Sequence, residues 1–258
     1  MNTSRGMNGI VRQLSWLGLL LFAFLGQMEV AAAQSPKELT ALAFEAEERG
    51  DAKEATKLFR AACNGGEGPA CFTLGVALHE GKYGKADMIT AAPIFRKGCD
   101  AGNGESCYFL ATMINFGRGA KVDRSAARSL YAKACDLGIA EACHDLGIAY
   151  RDGIGGSSDL VKARSLLARA CDDDLNQACN NFSVMLITGA GGAAEPARAR
   201  SILTKTCERN DADACFNAGI MYAKGDGGPV DPVMTEKYIG LACANGRKQA
   251  CDLIDRNR

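Results

Sequence analysis

The stretch CDLGIAEACHDLGIAYRDG, residues 135–153, decides the reading of this chain. It opens on Cys135, reaches a second cysteine eight residues later at Cys143, and ends on Gly153 ten residues beyond that. Between Cys143 and Gly153, Leu146 and Tyr150 stand four apart and so share one helical face, with the small Gly147 beside them. The pattern then returns at a fixed interval. Cysteine pairs fall at Cys63 and Cys71, Cys99 and Cys107, Cys135 and Cys143, Cys171 and Cys179, Cys207 and Cys215, and Cys243 and Cys251. Each pair has seven residues between its members, and each begins 36 residues after the last. A fixed period of this size is the sequence signature of a stacked repeat architecture.

Other columns keep the period and say what each unit contains. Ten residues after the second cysteine come Gly81, Gly117, Gly153, Gly189 and Gly225, placed where a left-handed C-cap ends a helix. Four residues after it come Gly75, Ala111, Gly147, Ser183 and Gly219. Small residues in mid-helix predict close approach by a neighbouring helix. Sixteen residues after it come Asp87, Asp123, Asp159, Glu195 and Asp231, suited to start a second helix, and Pro196 and Pro232 follow at a first helical position. Three residues past each first cysteine stand Gly66, Gly102, Gly138, Asp174, Asn210 and Gly246, all types that tolerate positive φ. The unit is thus a helix, a glycine-rich loop, a second helix ending at the first cysteine, and a short turn. The spacing predicts an all-α solenoid over residues 34–258. An atypical first pair occupies 37–64, with helices at 37–49 and 52–64; repeats of 36 residues run to about 248, and a capping helix covers 249–257.

The first 33 residues read differently. Arg5 and Arg12 precede an apolar run from Trp16 to Leu25, and Ala31, Ala32 and Ala33 offer a cleavage site before Gln34. This is the layout of a secretory signal peptide over 1–33. Its apolar run is too short to cross a hydrocarbon core of ~30 Å. No other run is apolar enough to span a bilayer, so no membrane span is expected after signal cleavage. The chain is expected to be secreted or periplasmic.

An oxidising destination suits disulfides. Cysteines eight apart on one continuous helix would lie ~12 Å apart along its axis. The turn between them brings two antiparallel helix ends together, so pairing within each C-x7-C is the economical connectivity, although sequence does not prove it. The rival reading is metal binding, yet zinc sites usually show closer cysteine clusters joined by histidine. Here there are twelve cysteines and two histidines in 258 residues, and no cofactor or metal site is expected. Lysine and arginine balance aspartate and glutamate at 30 each, so no whole-chain field favours nucleic acid.

Residues 141–153, EACHDLGIAYRDG, followed by Asp159, Lys162 and Ala163, resemble the Sel-one-like repeat, a relative of the tetratricopeptide repeat. The resemblance covers roughly residues 37–257 and implies a right-handed α/α superhelical solenoid. With a cysteine pair in every unit, the chain is similar to the Helicobacter cysteine-rich protein family. That likeness implies a β-lactam or peptidoglycan-fragment binding protein with weak β-lactamase activity; the wider repeat family implies an adaptor for protein or peptide partners. Ser183 and Ala111 depart from the family glycine, and the first unit lacks the long loop.

The residues themselves carry no catalytic motif. The S-x-x-K, S-D-N and K-T-G elements of serine β-lactamases do not occur, nor does G-x-S-x-G, H-E-x-x-H or a phosphate-cradling loop. No catalytic residues are assigned. His79 and His144 stand 65 residues apart at different repeat offsets. Asp145 and Asp152 read as solvated charge more readily than as an acid–base pair. What remains is surface. Two and nine residues after each second cysteine lie Thr73 and Glu80, Phe109 and Phe116, Asp145 and Asp152, Asn181 and Thr188, and Asn217 and Lys224. If this face lines a groove, it carries an aromatic patch, then acids, then amides, and predicts a binding scaffold for a protein or peptide. The alternative is an ordinary polar surface, with Phe109 or Phe116 packed between units.

Overall fold

The computed structural model describes residues 34–256; the expected signal segment lies outside them. The described residues form thirteen helices and no strand: α1 Pro36–Glu48, α2 Ala52–Asn64, α3 Gly68–Glu80, α4 Met88–Asp100, α5 Gly104–Phe116, α6 Arg124–Asp136, α7 Ala140–Asp152, α8 Leu160–Asp172, α9 Asn176–Thr188, α10 Pro196–Glu208, α11 Ala212–Lys224, α12 Pro232–Ala244 and α13 Lys248–Arg256. From α3 to α12, each odd helix is the first of a unit and each even helix the second.

Local chemistry sets the boundaries. Asp87, Asp123, Asp159 and Asp231 each accept the backbone N–H three residues on, at the starts of α4, α6, α8 and α12. Glu195 makes no such bond. Its longer side chain pairs with Arg164 and Arg198 instead, so α10 relies on Pro196 at its first position. The glycines that end the first helices are left-handed, with φ between 70° and 76°. The turns between units need the same region, and Asp174 (φ 61°) and Asn210 (φ 63°) occupy it where glycine is absent. Three boundaries differ slightly from expectation. Ser35 and Glu38 form a capping box that starts α1 at Pro36. Each second helix from α4 to α12 runs one residue past its cysteine, as α4 does to Asp100, while α2 keeps its expected bounds. The last helix is Lys248–Arg256.

Each unit closes on its own small residue. A β-carbon on Gly75 would press into the Phe95 ring, and one on Gly147 or Gly219 would meet Leu167 or Ile239. The first helix therefore lies against the second helix of its own unit at close range. Loops then lock consecutive units together. A β-carbon on Gly119, Gly155, Gly191 or Gly227 would overlap the carbonyl of Met88, Arg124, Leu160 or Pro196, the first residue of the preceding unit's second helix. Three arginines at the 36-residue period brace the same loops. Arg128 donates to the Ser157 carbonyl at 3.0 Å, Arg164 to Ala193 at 2.7 Å, and Arg200 to Asp226 at 2.8 Å. Arg128 and Arg200 also cover the rings of Tyr150 and Tyr222.

Six disulfides join the ends of consecutive helices: Cys63–Cys71, Cys99–Cys107, Cys135–Cys143, Cys171–Cys179, Cys207–Cys215 and Cys243–Cys251. Their α-carbons lie 4.5–4.8 Å apart. Loops this short are each stabilised by about 2.5 kcal/mol if chain entropy is the main contribution. Six structural disulfides point to an oxidising compartment. No described helix is long and apolar enough to cross a membrane.

Candidate functional site

Helices α3, α5, α7, α9 and α11 lie side by side and turn their polar sides to a common face. The residues two positions after the second cysteine are half-buried on it, and those nine positions after it are exposed. The difference follows from helix-to-helix contact. Phe109 sits in a nest of rings, 5.5 Å from Phe72, 5.3 Å from Phe95 and 6.0 Å from Tyr108. Phe116 stands 63% exposed with the Arg118 guanidinium over its ring. The expected aromatic patch is thus divided: Phe109 packs between units, and Phe116 alone is offered to solvent.

The acids and amides of this face are brought together. His144 Nδ1 lies 3.0 Å from Asp145 Oδ1, and its Nε2 lies 3.0 Å from Asn181 Nδ2 in the next unit. Asn181 Oδ1 accepts from Arg151 at 3.4 Å, and Arg151 binds both carboxylate oxygens of Asp152, at 2.7 and 3.0 Å. A single chain of contacts therefore links Asp145, Asn181 and Asp152 across α7 and α9. The Arg151 guanidinium holds Asp152 below the usual carboxylate range. Further along, Asn217 donates to Asn180 at 3.3 Å, and Asn180 donates to Asp211 at 3.0 Å. Asn217 thus joins the face through Asn180 rather than through Asn181. Thr73, Glu80, Thr188 and Lys224 take no side-chain part in this network.

His144, Arg151 and Asn180 were not among the residues expected to matter. They lie one and eight positions after the second cysteine, flanking the two chosen columns. A third column was also missed: Val76, Thr112, Ile148, Val184 and Ile220, five positions after the cysteine. Positions two, five and nine follow i, i+3, i+7 spacing on one helix face, so the period alone could have found it. Val184 is 52% exposed, giving the face an aliphatic rail.

Among α5, α6, α7 and the loop after α7 lies a cleft of about 420 Å³, lined by Asn115, Phe116, Arg124, Arg128, Tyr131, Asp145, Ile148, Ala149 and Ile154. Burial, then the Asp145 charge, hold the Tyr108 phenol above its usual range. Burial does the same to Tyr131, although its contact with Thr112 opposes the shift. Both phenols therefore stay protonated at neutral pH and present hydroxyls. Burial, aided by Glu141, also raises Glu105. His79 lies away from this network, its Nδ1 buried with no hydrogen-bond partner. Among the described residues, no group of three or more His, Cys, Asp or Glu is placed to hold a metal ion. The site can therefore offer shape, hydrogen bonds, aliphatic contact and charge of both signs, with Arg124 and Arg128 lining the cleft and unpaired carboxylates at the starts of α5 and α7.

Stacked helix pairs, each stapled at its turn and touching its sequence neighbours, define an α-helical repeat scaffold. The Sel1 repeat profile matches residues 46–67, 68–103, 104–139, 140–175 and 212–246, more than half of the chain, and the chain belongs to that family. The unit at 176–211, which carries Ser183 in the glycine column, falls between the matches. No curated protein matches the sequence. Among solved structures, the chain is similar to a protective antigen of uropathogenic Escherichia coli strains displaying an SLR fold. Identity is 23% and the TM-score 0.79, over 86% of this chain and 48% of that one. This chain thus spans about half of that protein's length. It is also similar to a Sel1 repeat protein from Oxalobacter formigenes, at 20% identity and a TM-score of 0.75, over 80% of this chain and 85% of that one. Helicobacter pylori cysteine rich protein B is 25% identical with a TM-score of 0.42, over 51% of this chain and 94% of that one.

Proposed function

We propose that this chain is an exported scaffold, secreted or periplasmic, that holds a protein or peptide partner along the face of its first helices. One observation carries the reading. The same face presents exposed apolar groups, Val184 and Phe116, and a hydrogen-bonded polar row that crosses from one unit to the next through His144 and Asn181. Aliphatic contact supplies affinity and placed polar groups supply register, as in recognition of an extended polypeptide. The disulfides favour the same role, because a face held rigid in its bound shape loses little entropy on binding.

Site-specific photo-crosslinking tests this. A photoreactive residue at position 184 is expected to trap a discrete partner in the compartment where the protein resides. The same group at position 96, exposed on the second-helix side, is expected to trap nothing discrete. Equal trapping from both positions, or none from 184, would count against the reading. Hydrolysis of a chromogenic β-lactam by pure protein, lost on substitution of Asp145 or Asn181, would instead favour the hydrolase implied by the cysteine-rich resemblance.

A further inference from the structure

We infer that the partner on this face is a basic, extended polypeptide segment, met by a row of uncompensated carboxylates on α5 and α7. This rests on the docking role proposed above and names the partner's chemistry. Glu105 and Glu141 occupy the same position in consecutive units, in the first turns of α5 and α7. Asp145 follows Glu141 by one helical turn. Among the described residues no cation lies within ion-pair distance of Glu105 or Glu141, nor of Glu80 on the same face, whereas several neighbouring acids are matched. Asp152 has Arg151, Asp174 has Arg209 and Asp213 has Arg247. Asp145 has no lysine or arginine at ion-pair distance, only His144 beside it. Glu105 is half-buried, and its carboxyl is pushed up by burial and by Glu141. A carboxylate in that setting gains from an arriving cation.

The spacing says what kind of cation. These carboxylates are not gathered tightly enough to enclose a metal ion. Packed helices stand about 8–10 Å apart, which an extended chain covers in about three residues. Lysine or arginine at every third position of a bound segment would therefore meet Glu105 and Glu141 in turn. Where the segment continues from α7 to α9, its apolar residues would meet the exposed Val184. Polyanions such as nucleic acid, and anionic lipid surfaces, have the wrong sign for this row.

The test is selection of a random short-peptide library on the oxidised chain, with three proteins compared: wild type, Val184→Asp, and the triple variant Glu105→Gln, Glu141→Gln, Asp145→Asn. Circular dichroism and disulfide content establish that the variants fold. The expected pool is enriched several-fold over the input in peptides with two basic residues about three apart. Its members lose about tenfold in affinity to the triple variant, and a similar amount in 1 M salt, where the Debye length is about 3 Å. They also lose binding to Val184→Asp. A pool that needs Val184 but is neutral or acidic, and binds the triple variant equally well, would overturn the basic partner and leave the docking face standing. A pool indifferent to both variants, or no pool at all, would overturn the docking face and this inference with it.

Discussion

Asn181 donates from Nδ2 to Nε2 of His144 across 3.0 Å, joining helices of neighbouring units. The amide orientation is set on its other sides. Nδ2 also donates to the Gln177 carbonyl at 3.0 Å, and Oδ1 accepts from Arg151. Since Nε2 accepts, the ring proton sits on Nδ1 and is donated to Asp145. The pair is therefore an inter-unit fastener as well as part of the candidate site. His144→Ala and Asn181→Ala are each expected to destabilise the fold by about 1 kcal/mol. Because the two share one bond, the double variant is expected to fall short of the sum by about 0.5–1 kcal/mol. Urea unfolding of the four proteins measures the coupling.

Glycine in a helix does different work at two positions. A β-carbon on Gly75 would come within 2.6–2.9 Å of the Phe95 ring, while one on Gly240 would meet nothing within 4 Å. Gly75→Ala is expected to destabilise by about 1–3 kcal/mol, since Phe95 is fully buried and has nowhere to move. Gly240→Ala is expected to stabilise by about 0.5–1 kcal/mol through helix propensity. Thermal unfolding of both variants would show shifts of opposite sign.

The end of α1 is tied to the loop after α3 by Glu47, which accepts from Lys82 and from the Tyr83 hydroxyl. These contacts, Lys82 first, hold the Glu47 carboxyl below its ordinary range. A carboxyl lowered by folding contributes stability above its unfolded pKa of about 4.3, and loses that contribution as pH falls through its lower folded value. Glu47→Gln is therefore expected to be less stable than the wild type at pH 7, and the difference is expected to vanish towards pH 3. Tyr83 has the opposite sign. Burial, then Glu47, raise its phenol, so its contribution is intact below pH ~10 and is lost as pH climbs beyond that. Chemical denaturation across the acid and alkaline ranges would separate the two.

Most of the fold was legible because each unit repeats its punctuation. The cysteine, aspartate and glycine columns mark the helix ends through backbone conformation, which is local and therefore readable. The mid-helix glycines announced close packing, though not that Phe95, Leu167 and Ile239 would fill the space. The site was legible in outline only. Asp145 and Asn181 could be placed on one face, but their link runs through His144, 36 residues from its nearest equivalent column member and visible only once neighbouring units are stacked. Phe109 and Phe116 looked alike by spacing; ring contacts with Phe72, Phe95 and Tyr108 set Phe109 apart. The brace of Arg128, Arg164 and Arg200 kept the period in plain view, yet its purpose depends on loop carbonyls that no sequence pattern reports.

The central claim is that each unit is stapled to the next across the turn between them in an oxidising compartment, so that a rigid face is presented to the partner. Peptide mapping of the exported protein without reduction tests it most directly. The account predicts six linked peptides, each joining the two cysteines of one C-x7-C, with no free thiol. Links between cysteines of different pairs, or free thiols in properly exported protein, would contradict it and return the cysteines to metal or redox roles.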